Sequence, residues 1–561
     1  MSKIDTKIPL RWFTPILYSE VFDRKPTRDN LADLVRKINW HDLAAKCSAI
    51  ALLSWQHGIE DPKQQTDLVA NLLKSLPTYA PKINDMLKQH NPQRVLFTRD
   101  TLLALFRVAI VEQSEALPMS EQAFSDAFTR AALAANEFIA DELLPFTVTR
   151  SATDLLASEL RSMIVQIENP HKLLGRTRAF FEWSKTPKAR HHPDHLSVED
   201  DLRRFTGLTP LEFAAGAYIV LARTSGAKTI DQLMQLGVVF NFDRWMAGVS
   251  ERRIPRAWLD VSSINIETIR EEWQEEPSLS FAGAGTLYRR PVLLEDDLYI
   301  APTPDLLANA MGDGTYFALL DGYSSVDKKK FTRYYGAFFE DYIASIFERG
   351  YASRTDADLW REEPFKPGAV STDVIINEAG DMLFIEVVAK RMNLVSSVLR
   401  LNPEAIEKDL RRGVMKKLWQ LHKNIEHYRN KTLFPQMPRT PGQRIFPILV
   451  APKDWPRVYV INEPLKKAQE SQGLLPGTEP VEFLTMGEVE SIESDLTKGL
   501  PLAQILHRKN NSTPHNRLMP LNNYLIDVEQ KVAVEPSLAL SRGNAAAQEV
   551  IHLVKSWGLA S

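Results

Sequence analysis

Two carboxylates in this chain stand where a folded protein does not tolerate them without compensation. The stretch from Ser371 to Lys390, STDVIINEAGDMLFIEVVAK, sets two short apolar runs either side of Glu378-Ala379-Gly380-Asp381. Such runs around a Gly-containing turn predict a β-hairpin. With a loop of two residues (Ala379-Gly380) or of four (Glu378 to Asp381) the register is the same, and Asp373 falls opposite Glu386. Opposed side chains share a face, with Cβ atoms about 4.5–5.5 Å apart. Two like charges there are destabilising unless a cation lies between them or one acid holds a proton. Period two places Met382, Phe384, Glu386, Val388 and Lys390 on one face and Leu383, Ile385, Val387 and Ala389 on the other. Both faces are mainly apolar, so the strand is expected to be central and Glu386 buried. A divalent cation held by both acids offsets that cost. Mg²⁺ suits a site of one or two carboxylates completed by water and substrate phosphate, and Mn²⁺ is expected to substitute. Such an ion can activate water and stabilise the leaving oxygen in phosphodiester hydrolysis. The plainer alternative makes Asp373 a turn acid after Ser371-Thr372 and pairs Glu386 with Lys390 or Arg391.

The rest of the chain must position these groups. At 561 residues it is too long for one core. A hydrophobic content of 44% and a charged content of 25% describe an ordinary globular protein, and the net charge of −3 gives no global attraction to nucleic acid or anionic membrane. The single cysteine, Cys47, excludes an intrachain disulfide and a Cys-based zinc cluster. Met1 to Trp12 does not read as a signal peptide, no window approaches 18 uninterrupted apolar residues, and a cytoplasmic location without membrane contact is the expectation.

Residues 28–170 read as successive helices punctuated by Pro62, Pro77, Pro81 and Pro118. Thr209 before Pro210 predicts an N-capped helix through Ala222. The cluster Arg190-His191-His192-Pro193-Asp194-His195 reads as a solvated basic loop rather than a metal site. Between 278 and 330 a second hairpin is expected around Glu295-Asp296-Asp297, followed by a short helix from Thr303 through Met311. From about 331 the pattern becomes an amphipathic helix (Phe331 to Phe347), a strand near Trp360, the acid hairpin, a helix from Asn402-Pro403 to Tyr428, and a buried strand at Phe446 to Ala451. Residues 461–561 read as helix-rich.

The helix after the hairpin is basic. Between Lys390 and Lys431, eleven Lys and Arg residues face four acids. Beside an acid pair that invites a metal, this is a candidate phosphate-facing surface, centred on Arg411, Arg412, Lys416, Lys417, Gln420 and Lys423. Its plain alternative is a solvated face with pairs such as Glu404–Lys408.

The order helix-with-Glu, strand, Asp-strand, turn, Glu-strand, helix, strand resembles the PD-(D/E)XK nuclease superfamily, the restriction-endonuclease-like fold. Tyr335-Gly336-Ala337-Phe338-Phe339-Glu340-Asp341-Tyr342 looks like its first core helix, Ser371-Thr372-Asp373 like its first acid and Phe384-Ile385-Glu386 like its second. The resemblance covers about 331–452, a fifth of the chain. It implies metal ligation by Asp373 and Glu386 with help from Glu340, and Mg²⁺-dependent cleavage of nucleic acid. Lys416-x-x-x-Gln420-Leu421 also looks like a motif of relatives of this core. One departure matters: the family's lysine follows the second acid by two residues, where this chain has Val388. Three alternatives stand: Lys390 as the displaced catalytic lysine, a helix lysine (Lys416 or Lys417) in its place, or a fold that has lost cleavage.

The expected architecture is therefore α/β (α+β overall), a restriction-endonuclease-like mixed sheet flanked by helices and preceded by a large, mostly α-helical region. The expected divisions are 1–275 (helical, sensor or regulator), 276–330 (a small β-containing connector), 331–460 (nuclease-like) and 461–561 (helix-rich). The expected function is a Mg²⁺-dependent nuclease, with DNA favoured over RNA and a role in bacterial defence against phage. The alternative is a catalytically silent module that binds nucleic acid or a partner protein. The helical N-terminal region is the expected surface for a second copy or another protein.

Overall fold

The computed structural model describes the chain apart from residues 1–12, 58–68, 90–92, 144–168, 393–402, 433–436, 453–468, 531–536, 558–561 and further short gaps, the longest of them at 234–237 and 280–284. It is a mixed α/β protein, 63% helical, with sheets of four and five strands. Two compact units are each assembled from separate stretches: 1–148, 206–315 and 550–561 in one, 149–205 and 316–549 in the other. These boundaries differ from those expected at 275, 330 and 460, because packing gathers segments that sequence order keeps apart.

In the first unit, helices such as Trp40–His57, Arg99–Glu112 and Glu121–Leu143 surround an apolar core. Thr98 caps Arg99–Glu112, and Thr209 with Glu212 forms the capping box of Pro210–Ala222, each supplying an acceptor for orphan N–H groups. The expected hairpin is present as Val292–Glu295 and Leu298–Ile300, within a four-stranded sheet that also takes in Val239–Asn241 and Ser263–Asn265. It is thus part of a core rather than a connector. The short helix expected through Met311 runs from Pro304 to Gly322.

The second unit carries the acid hairpin. Its elements are helix α1 (Pro170–Ser184), helix α2 (Ser325–Tyr351), strand β1 (Ala357–Arg361), strand β2 (Val374–Glu378), strand β3 (Asp381–Val387), helix α3 (Pro403–Leu410), helix α4 (Lys416–Arg429), strand β4 (Ile445–Ala451), strand β5 (Glu482–Thr485) and helix α5 (Met486–Thr497). A π-helical turn, Arg411–Met415, joins α3 to α4. The sheet order is β5-β4-β3-β2-β1, antiparallel through β1, β2 and β3 and parallel through β3, β4 and β5.

The hairpin has the derived register: Val374 pairs with Ile385, Ile376 with Leu383 and Glu378 with Asp381. The loop is the two-residue one. Ala379 and Gly380 take φ of 50° and 95°, the left-handed pair that two-residue hairpins use because its twist matches that of the strands. β3 is central and buried on both faces from Met382 to Val387. Met382, Phe384 and Val388 pack with Ile375 against Leu418, Leu421, Ile425 and Tyr428 of α4. This face joins hairpin to helix and fixes where α4 places its polar residues.

Aromatic packing draws α1 into this unit across more than a hundred residues of sequence. Phe180 lies 5.2 Å, centroid to centroid, from Phe338, and Trp183 lies 5.0 Å from Tyr334. A buried ion pair adds direction: the Arg176 guanidinium meets both oxygens of Glu490 at 2.6 Å, and Tyr342 donates to the same carboxylate at 2.8 Å. α1, α2 and α5 are thereby tied at one point. β5 was not expected within the helix-rich stretch. It is only four residues long, and its charged member, Glu482, is buried against Lys509 at 2.8 Å.

Candidate functional site

Asp373 directly precedes β2 and Glu386 follows Ile385 on β3, one step past the last pair, Val374–Ile385. Both are buried, Asp373 at 5% exposure and Glu386 at 0%. Asp373 is oriented by its neighbour strand: the Val387 N–H donates to its Oδ2 at 2.7 Å. α4 supplies what the strands lack. Lys417 Nζ donates to Glu386 Oε2 at 3.0 Å and to Asp373 Oδ2 at 3.4 Å, and lies 3.7 Å from Glu340 Oε1. One turn pair further along the same helical face, Asn424 Nδ2 donates to Glu386 Oε1 at 3.2 Å.

The electrostatics follow from burial. Desolvation first, and the Asp373 charge second, hold the Glu386 carboxyl well above the usual carboxylate range, with Lys417 opposing. The same two causes raise Glu340 to about 7. Glu362 at the rim is raised by partial desolvation and by Asp373. Burial works against the Lys417 charge, but Glu386, Asp373 and Glu340 outweigh it and push its pKa up. Glu386, Glu340 and Glu362 are thus all held above their ordinary range around one ammonium.

The sequence-derived residues divide accordingly. Asp373, Glu386, Glu340 and Lys417 meet. Lys390 does not join them: its Nζ pairs with Asp409 at 2.6 Å. β3 ends at Val387, so the two-residue alternation that would have carried Lys390 onto the Glu386 face no longer applies. Val388 is 1% exposed in the core beneath α4, which is why a lysine has no place there. Arg391 stacks over Tyr316 and Tyr335 rather than pairing with Glu386. Arg411 is exposed and pairs with Glu407 at 2.5 Å. Arg412, Lys416 and Lys423 are exposed and Gln420 is half-buried, all on the outer sides of α4 and the turn before it. Glu363 and Asn402 lie outside the described residues.

Sequence reading missed the second rim. The turn Pro187–Arg190, far upstream, brings Lys188 to 2.6 Å from Asp341, which also accepts from Arg361 at 2.5 Å and from Trp183 Nε1 at 3.0 Å. Burial opposes the Asp341 charge, yet Lys188 and Arg361 hold it below its ordinary range, and Lys188 favours ionisation of Glu362 as well. No sequence signal linked 183–190 to α2. Asn424 was detectable in principle, lying seven residues after Lys417 on the same helical face. In the histidine cluster, His191 bonds the Pro187 carbonyl, Asp194 pairs with Arg333 and His195 approaches Tyr334.

The donors at the centre are all carboxylate oxygens, which is the chemistry of a hard divalent cation rather than of zinc or copper. Among the described residues no group of three or more His, Cys, Asp or Glu side chains is arranged to hold a metal ion. The Asp373–Glu386 pair fits an ion that takes one or two protein carboxylates and completes its shell with water and phosphate. No family model, curated protein or solved structure matches the chain.

Proposed function

We propose that this protein is a Mg²⁺-dependent nuclease of restriction-endonuclease-like architecture, with Asp373 and Glu386 as the metal-binding pair, Glu340 assisting and Lys417 as the catalytic lysine. The observation that carries this reading is one ammonium of α4, that of Lys417, within 3.0–3.7 Å of three carboxylates: Glu386 of β3, Asp373 directly before β2 and Glu340 of α2. The order of elements around them, a Glu-bearing helix, an antiparallel Asp/Glu hairpin, a helix and a parallel strand, supports the architecture.

Mg²⁺ bound here supplies charge neutralisation of the phosphate and a lowered pKa for water. The chain's own residues do the rest. Asp373 and Glu386 are pre-oriented by the Val387 N–H and by Asn424. Lys417, drawn by the acids before substrate arrives, is in place to orient an attacking water and to stabilise charge on the phosphoryl oxygens. Its elevated pKa makes it a donor and electrostatic stabiliser, not a general base. Glu340, raised to about 7 by its surroundings, is the group able to exchange a proton near neutrality.

The test is cleavage of single- and double-stranded DNA and of RNA by purified protein with Mg²⁺, with EDTA, and with Asp373→Ala. Metal-dependent cleavage lost in the variant supports the assignment; equal activity in both proteins overturns it. A second reading has its own observation: Lys417 already neutralises the pair, so the cluster serves as the ion network of a silent nucleic-acid-binding module. Binding that survives EDTA and loss of both acids, with no cleavage of any substrate, would select it.

A further inference from the structure

Resting on that reading, we infer that the outer face of α4 takes unpaired nucleic acid, and that Trp419 is the platform on which one of its bases stacks. Among the large hydrophobic side chains exposed in the described residues, Trp419 is the one aromatic, at 42% exposure. The others, Leu117, Val326, Ile526 and Val528, are aliphatic. An indole in water on a helix whose opposite side is fully buried is not needed for packing, and its neighbours at i−3 and i+4, Lys416 and Lys423, are cationic, with the acid Glu426 two turns on. On a helix of about 100° per residue, Lys416, Trp419 and Lys423 fall within about 60° of one another. Both lysines are exposed, and Arg412 stands exposed in the π-helical turn one step further back. Trp419 meets His422 edge to face, with ring centroids 5.9 Å apart.

Cations spaced along a helix with an aromatic face between them match a single strand, whose phosphates and bases alternate. A duplex presents its phosphates but keeps its bases stacked, and gives the indole nothing to lie on. Trp419 is two residues from Lys417 but about 160° round the helix from it, with half-buried Gln420 between this face and the site. The axial offset between residues 417 and 419 is about 3 Å. A strand laid on the Lys416–Trp419–Lys423 face therefore runs along the outer side of α4, on the far side of the helix from the carboxylates. Charge complementarity selects a polyanion over an apolar protein partner for this surface.

The experiment uses the full-length protein in EDTA, so that binding is read without cleavage. Fluorescence anisotropy is recorded with a labelled single-stranded DNA oligonucleotide and with the duplex of the same sequence. The expected result is tighter binding of the single strand by the wild type. Trp419→Ala should weaken single-strand binding roughly 5- to 100-fold and duplex binding by less than about threefold, while Trp419→Phe retains most of the affinity. Lys416→Ala and Lys423→Ala should weaken both substrates and each lower the salt slope by about one unit. A thermal melt of each variant separates lost binding from lost fold, and the Phe variant carries the test if the Ala variant melts early. Equal effects of Trp419→Ala on both nucleic acids, no effect on either, or no binding by the wild type would overturn the inference. So would a wild type that self-associates through this face while the Trp419→Ala protein is monomeric. Failure here with Mg²⁺-dependent cleavage intact leaves the nuclease reading standing; selective stacking without cleavage leaves the platform and removes the nuclease.

Discussion

Lys417 Nζ lies 3.0 Å from Glu386 Oε2 although the two residues are 31 positions apart and belong to different elements. Glu386 is wholly buried at the centre of the sheet and Lys417 reaches it from α4, past the apolar seam of Leu418, Leu421 and Ile425. The ammonium therefore answers the electrostatic problem posed by the hairpin.

The two lysines near the site are expected to separate cleanly. Lys417→Met should lower cleavage by about 10²- to 10³-fold, the usual cost of removing one pre-aimed donor to a developing charge. Lys390→Met removes a pair with Asp409 and should change cleavage by less than roughly tenfold, because its ammonium is held away from the acid cluster. Single-turnover rates at saturating Mg²⁺ measure both. The reverse ranking would return the role to Lys390.

The acid pair should trade stability for function. Without metal, Glu386→Gln removes a buried carboxyl raised by desolvation and by Asp373, and keeps an amide for Asn424 and Lys417. It is expected to match or exceed the wild type in stability by about 1–2 kcal/mol while losing cleavage. Urea denaturation in EDTA reads the first part and a cleavage assay the second. A loss of more than about 2 kcal/mol would mean that the carboxylate is structural.

Glu340 sets a pH window. Its folded value, about 7, lies above the ordinary 4.5 because of desolvation and then Asp373. The protonated form thus favours the folded state: that contribution is full below about 4.5 and is lost as the pH rises through about 7. Metal-free protein is expected to melt at lower temperature at about pH 8 than at about pH 5.5, and Mg²⁺ affinity should rise across the same interval as the carboxyl ionises. Glu340→Gln should flatten both profiles, measured by thermal melts and by calorimetric titration.

At the hairpin tip, Ala379 is exposed and holds a φ of 50°, a region that costs an alanine but suits asparagine. Ala379→Asn should raise stability by roughly 0.5–1 kcal/mol without touching activity. An unchanged or lower melting temperature would count against the turn geometry.

Glu378, at the far end of β2, receives bonds from Tyr351 at 2.9 Å, Arg354 at 2.8 Å and the Ala503 N–H at 2.6 Å. Glu378→Ala leaves the buried Tyr351 hydroxyl and the Ala503 N–H without their acceptor, while Arg354 keeps Asp356 and the Leu500 carbonyl, and should cost about 1–3 kcal/mol. Guanidinium chloride titration would show it as a lower midpoint.

The amino-acid sequence by itself determined the hairpin, its register and the shared face of Asp373 and Glu386. Those depend on period-two alternation and a two-residue turn, which are local. It also placed α2, the helix from 403 to 429 and β4, whose apolar periodicity is strong. It could not choose among Lys390, Lys416 and Lys417. That choice turned on where β3 stops and on how α4 is rotated against Phe384 and Val388, both matters of packing between distant segments. The same holds for Lys188 and Trp183, brought to Asp341 by an aromatic cluster that unites residues 180 and 338. It holds too for β5, too short to show itself before β4 offered an edge to pair with. The tertiary structure decided which cation faces the acids, because a buried carboxylate is answered by whichever side chain the core can deliver to it.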